Sequence, residues 1–135
     1  MRERSKPAAK AHADMTKILL VEDNEMNRDM LTRRLEKRGY TLAIAIDGGA
    51  GVAMVKTEKP DLILMDMSLP VIDGWEATKQ IKADPETKDI PIIALTAHAM
   101  GEEQQRCLDS GMVAVVTKPI NAKALYETLA RHVVK

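Results

Sequence analysis

Phenylalanine is missing from the chain, and aromatic residues of every kind make up only 2% of it. A core has to be assembled from Leu, Ile, Val, Met and Ala instead, and a hydrophobic share of 45% is enough to build one. Cysteine is scarce too. The single Cys107 excludes an intramolecular disulfide, and with three scattered histidines it excludes a Cys/His zinc quartet. That usage fits a reducing compartment, and the expected location is the cytoplasm. Neither sign of charge is in excess, since 20 Lys+Arg stand against 20 Asp+Glu. A neutral chain has no bulk electrostatic footprint for nucleic acid or anionic membrane, so neither is expected as a partner. No apolar run approaches the roughly 18 residues of a membrane span. The opening "MRERSKPAAKAHAD" lacks the apolar stretch of a secretory signal.

A length of 135 residues suggests one domain of ordinary size. Residues 1–14 are polar, contain Pro7 and have no periodic apolar face, so a flexible leader is expected there and a folded domain over 15–135. From Lys17 onward two kinds of segment alternate. Short apolar runs at 17–21, 41–46, 61–66, 90–96 and 113–117 read as strands. Between and after them lie helical patterns. The first covers 25–38, with Met26, Met30, Leu31 and Leu35 as its stripe and Gly39 closing it. The second runs from the Asp47 cap to about Lys56. The third opens at Gly74, carries Trp75, Thr78 and Ile81 on one side, and ends at Asp84-Pro85. The fourth spans 101–110, stopped by Gly111. The fifth spans 121–134, with Ala124, Leu125, Leu129 and Val133 inward. Strands that are apolar without alternation are buried on both faces. Helices between them imply an α/β, doubly wound parallel sheet with right-handed crossovers.

In such a sheet the ligand site lies beyond the carboxyl ends of the strands. The first strand ends at Glu22-Asp23, the third at Asp66, the fourth at Thr96 and the fifth at Lys118-Pro119. The second ends at Asp47, which is expected to lie apart. Clustered carboxylates repel one another unless a cation sits among them. An all-oxygen set suits a hard ion, Mg²⁺ above all. An ionised aspartate is also a nucleophile toward phosphorus, and the charge its attack builds needs a metal, a cation and a hydrogen-bond donor. Mg²⁺, Lys118 and the Thr96 hydroxyl supply one each. No strong base for water is in the set, so a phosphorylated form would persist.

The stretches "LLVEDN", "LILMDMSLPVIDGWE", "IIALTA" and "TKPI" resemble the response-regulator receiver domain, the CheY-like module of two-component signalling, over residues 17–134. The resemblance implies a flavodoxin-like (βα)5 sandwich with strand order 2-1-3-4-5. It implies that Asp66 accepts a phosphoryl group from a histidine kinase or a histidine phosphotransfer protein. Asp23 would bind Mg²⁺ directly, Glu22 through water, and the Ser68 backbone carbonyl would be a further ligand. Thr96 would contact the phosphoryl group as the switch hydroxyl, Lys118 would pair with it, and the Lys118-Pro119 bond would be cis. Ser68 and His98 are candidates for tuning water access.

One stretch departs from the family. "GMVAVVTKP" places Val113 where an acid is usual and Val115 where the switch aromatic is usual. Valine has few χ1 states and no ring to swing inward. With 112–116 wholly apolar in an edge strand, the face made by the fourth helix, fifth strand and fifth helix is expected to be sticky and to serve a homodimer or an effector. The expected function is a signalling phosphoacceptor rather than a turnover enzyme, with no output domain in the chain. "LTAHAM" and "KPI" equally resemble receivers attached to hybrid kinases. A scaffold that binds through the apolar fifth strand without phosphorylation is an alternative. A Mg²⁺-dependent phosphatase is disfavoured, because the place of its acid/base aspartate is taken by Ser68. The glycines Gly48, Gly49 and Gly51 lack the Lys-Ser/Thr of a nucleotide loop. Cys107 is expected to be half-buried packing, and Asn24 to cap the first helix.

Overall fold

Alternate residues of each central strand enter opposite hydrophobic cores, and that alternation organises the molecule. The computed structural model describes residues 16–97 and 101–132. The expected leader, together with His12, His98 and Val133, lies outside the described residues. Five parallel strands form one sheet in the order β2-β1-β3-β4-β5: β1 (Lys17–Val21), β2 (Thr41–Ala45), β3 (Leu62–Asp66), β4 (Ile92–Thr96) and β5 (Ala114–Thr117). The helices are α1 (Glu25–Lys37), α2 (Gly48–Glu58), α3 (Gly74–Ala83), α4 (Gly101–Asp109) and α5 (Ala122–His132). Ile18, Leu20, Leu62, Leu64, Ile93 and Leu95 pack with Leu31 and Leu35 of α1 and Leu125 and Leu129 of α5. Their neighbours Leu19, Val21, Ile63, Met65 and Ala94 face the other way, onto Val55 of α2, Ala77 and Ile81 of α3 and Cys107 of α4. Two helices therefore cover one face and three the other.

Local chemistry sets the element ends. Asn24, Asp47, Asp73 and Asn121 each accept a bond from the backbone N–H three residues on, at 2.9, 2.7, 2.9 and 2.9 Å. Gly39, at φ +94°, closes α1: its N–H reaches the Glu36 carbonyl and the Tyr40 N–H reaches Leu35. Gly111, at φ +100°, closes α4 with the same pair of bonds, to Leu108 and from Met112 to Cys107.

Several expectations change. Helix α2 runs two residues past Lys56, because Lys59 takes a left-handed conformation at φ 50° and its N–H still bonds Val55. Strand β4 starts at Ile92, since Pro91 has no N–H and Ile90 turns back to Thr87. Strand β2 is an edge strand with Ile44 partly exposed, not one buried on both faces. Met26 is 80% exposed and Ala124 is also exposed, so neither belongs to an inward stripe. Cys107 is fully rather than half-buried, and burial pushes its thiol pKa up. Among the described residues of α4, β5, α5 and their connections, Met112 and Val116 turn into the cores, and Val113 and Leu108, 38% and 41% exposed, are the large apolar residues in solvent. Among the described residues no helix is long and apolar enough to cross a membrane.

Candidate functional site

The parallel register brings the strand ends side by side. Val21 of β1 pairs with Met65 of β3, Asp66 with Leu95 of β4, and Thr96 with Thr117 of β5. Each candidate side chain lies within two residues of these pairs. The Glu22 N–H continues the ladder to the Ala45 carbonyl at 3.0 Å, and the Glu22 side chain is fully buried. Its Oε2 accepts from the Asn24 N–H at 3.2 Å. Its Oε1 receives no hydrogen bond and faces Lys118 Nζ at 3.4 Å. Burial, then the negative charge of Asp66, pushes the Glu22 pKa up, with Lys118 pulling against both. Asp23, next in the chain, is exposed.

Asp66 ends β3 almost wholly buried. Its Oδ1 accepts from the Ser68 N–H at 3.0 Å and pairs with Lys118 Nζ at 3.2 Å. The Lys118 N–H donates to the Thr96 carbonyl at 2.8 Å and so ties the lysine to the end of β4; the Lys118-Pro119 bond is cis. Thr96 is buried at the end of β4, and its hydroxyl donates to Glu103 Oε2 at 3.1 Å. Ser68 is exposed beside Asp66. Val115 pairs with Ala94 on the side of the core that holds Cys107 and Met112. Asp47 caps α2 and stands outside the acid cluster.

Ligand oxygens of Glu22, Asp23 and Asp66 all lie within 4.8 Å of one another. Two of the three carboxylates, Glu22 and Asp66, pair with the Lys118 ammonium, and one buried carboxylate oxygen receives no hydrogen bond. A hard-oxygen set with an unsatisfied buried oxygen fits a divalent cation such as Mg²⁺ and offers nothing to a soft metal.

Three supporting residues escaped the sequence reading. Arg28 of α1 donates from Nη1 to the carbonyls of Glu22 and Asp23, at 3.2 and 2.9 Å, and so ties the acidic pair to the helix. Gly74 lets α3 start against Asp66: a Cβ there would stand 2.7 Å from the Asp66 carbonyl oxygen and 2.8 Å from Met67 Cα. Glu103 accepts the hydrogen bond of the Thr96 hydroxyl. An Arg in the turn after an acidic pair was the one available signal, and it is weak, because most surface arginines are solvated.

A model of the response regulator receiver domain matches residues 18–130. The chain is 42% identical over 127 residues to the hybrid signal transduction histidine kinase I of Dictyostelium discoideum, a match that covers 88% of this chain and 7% of that protein. It is 38% identical over 112 residues to the polar-differentiation response regulator DivK of Brucella anthropi, covering 83% of this chain and 91% of that one. The receiver domain of the sensor histidine kinase PA1611 from Pseudomonas aeruginosa, a crystal structure with a magnesium ion coordinated in its active-site cleft, superposes with a TM-score of 0.81. That match is 38% identical and covers 87% of this chain and 97% of the other.

Proposed function

The chain belongs to the response-regulator receiver family, and from that premise we propose that Asp66 accepts a phosphoryl group from a phosphohistidine on a histidine kinase or phosphotransfer protein. The observation that carries the proposal is the setting of the Asp66 carboxylate: buried, held by the Ser68 N–H and the Lys118 ammonium, and flanked by Glu22 and Asp23. In the transfer an Asp66 oxygen forms a bond to phosphorus. The nitrogen–phosphorus bond of the donor breaks, and its electron pair stays on the imidazole nitrogen. Lys118, already 3.2 Å from the carboxylate, follows the negative charge onto the phosphoryl oxygens. The Thr96 hydroxyl donates to another of them. Asp23, Asp66, Glu22 and the Ser68 carbonyl would hold Mg²⁺, which supplies positive charge against the phosphoryl oxygens when bound.

Ser68 stands two residues after the acceptor and can act as neither acid nor base at neutral pH. That supports a phosphoacceptor that holds its charge rather than an enzyme that turns over phosphoesters. The held phosphoryl group would shift the population of partner-binding states, and the α4–β5–α5 face, with Val113 and Leu108 exposed, is the proposed effector surface. The proposal concerns the domain in either setting, part of a hybrid kinase or a separate regulator.

Phosphoramidate carries the nitrogen–phosphorus bond of a phosphohistidine and needs no cognate kinase. Incubation with it and Mg²⁺ is expected to give an acyl-phosphate resonance by ³¹P NMR that is absent from Asp66→Asn. A phosphoryl signal that survives in Asp66→Asn, or one with the shift of a phosphoserine, would contradict the proposal.

A further inference from the structure

Helix α4 is lightly anchored. Cys107 is its one fully buried residue among those described, whereas α1 and α5 each bury two leucines and α3 buries Gly74, Ala77, Thr78 and Ile81. Two polar contacts supplement that anchor. The Arg106 guanidinium lies over the Trp75 ring of α3, 3.9 Å from its centroid. The Glu103 carboxylate, in the first turn, accepts the Thr96 hydroxyl proton at 3.1 Å. An acid in a first helical turn is favourable in its own right, so Glu103 is well placed to stay there.

A hydroxyl has one proton to donate. A phosphoryl oxygen accepts and cannot donate. For Thr96 to bond a phosphoryl group on Asp66, its proton has to leave Glu103. We propose that Glu103 is a positioning residue that competes with the phosphoryl group for the Thr96 hydroxyl, so that phosphorylation releases the first turn of α4. The inference rests on the reading of Asp66 as the phosphoacceptor and adds the route by which its charge is felt. That route suits this chain in particular. Val115 is β-branched, half-buried and paired with Ala94, so β5 has no bulky side chain to relay the Thr96 movement. The Thr96–Glu103 bond instead runs directly to α4, whose Leu108 lies on the proposed effector face.

The test is a double-mutant cycle on the full chain, with Glu103→Ala, Thr96→Ala and the pair. The readouts are amide hydrogen exchange over residues 101–109 and the initial rate of adduct formation with acetyl phosphate and Mg²⁺. In unphosphorylated protein, exchange at the start of α4 is expected to rise about tenfold in each single variant and no further in the double, the scale of losing one hydrogen bond to a carboxylate. Phosphorylated parent is expected to exchange like Glu103→Ala. Adduct formation should speed up roughly tenfold in Glu103→Ala, less in Glu103→Gln, which keeps an acceptor oxygen, and not at all when Thr96 is already alanine. A Glu103→Ala effect of equal size with and without the Thr96 hydroxyl would overturn the competition while leaving Asp66 as the acceptor. No adduct on the parent would overturn the acceptor reading and the competition with it, whatever the exchange cycle gave.

Discussion

Adding a single methyl group at Gly74 should damage both stability and phosphorylation. The Cβ of Gly74→Ala would sit 2.7 Å from the Asp66 carbonyl oxygen and 2.8 Å from both Met67 Cα and Met67 Sδ. The sulfur ends a flexible side chain and can move away. The other two atoms are backbone of the strand end that carries Asp66, the proposed phosphoacceptor. Unstrained carbon contacts lie near about 3.5–4.0 Å, so α3 or the Asp66–Met67 peptide has to shift by roughly 0.7 Å or more. Overpacking of this kind costs about 1–3 kcal/mol, against a helix-propensity gain of at most about 1 kcal/mol for alanine over glycine. A net loss of about 1–2 kcal/mol is expected. The control is Gly101→Ala at the start of α4, where nothing stands within 4 Å of the new Cβ. It should be neutral or stabilising by about 0.5 kcal/mol. Urea unfolding separates the two variants, with the midpoint falling in the first at unchanged m. Displacing the proposed acceptor by a fraction of an ångström should also slow adduct formation by about tenfold or more. A Gly74→Ala protein within about 0.5 kcal/mol of the parent and phosphorylated at the parent rate would refute the claim that α3 is seated on Asp66 through this glycine.

Two further outcomes follow from the site and its rim. The Glu22 pKa is raised in the folded protein above its ordinary 4.5, so the folded state holds a proton that the unfolded chain has released. The resulting penalty is absent below pH 4.5 and grows as pH rises through the folded value. Glu22→Gln should therefore match the parent in acid and exceed it by about 1 kcal/mol at neutral pH without metal, the scale of one unsatisfied buried oxygen. Mg²⁺ should then raise the melting temperature of the parent more than that of the variant, and a variant no more stable than the parent at pH 7 in EDTA would contradict this. Val71 is 79% exposed and sits at φ 71°, a conformation that β-branched residues rarely adopt. Val71→Gly is expected to stabilise the fold by about 0.5–1 kcal/mol in the same urea assay, net of the greater unfolded-chain entropy of glycine, and a loss would show that the strain is absent.

The legible parts of the molecule were those written in short-range patterns. Unbroken apolar runs identified the strands, and because a parallel sheet gathers their carboxyl ends, Glu22, Asp23, Asp66, Thr96 and Lys118 could be placed at one edge before any contact was known. Asparagine and aspartate before helices, and glycine after them, marked most boundaries to within two residues. What escaped depends on neighbours. Strand β2 reads like the central strands, and only its position in the sheet order exposes Ile44. Met26 shares the spacing of Met30 and Leu35 but precedes the part of α1 that the sheet covers. Glu103 is one acid among several in a helix, and its bond to Thr96 crosses a strand–helix connection that has no period to betray it. Gly74 reads as a helix start, and its closeness to Asp66 exists only once β3 and α3 are packed.

The most direct test of the account is the intact mass of the chain after acetyl phosphate, with Mg²⁺ or with EDTA, for the parent and for Asp66→Asn. One phosphoryl adduct is expected on the parent in Mg²⁺, little in EDTA and none on the variant. An adduct indifferent to Mg²⁺ or retained by Asp66→Asn, or no adduct on folded parent protein, would contradict it.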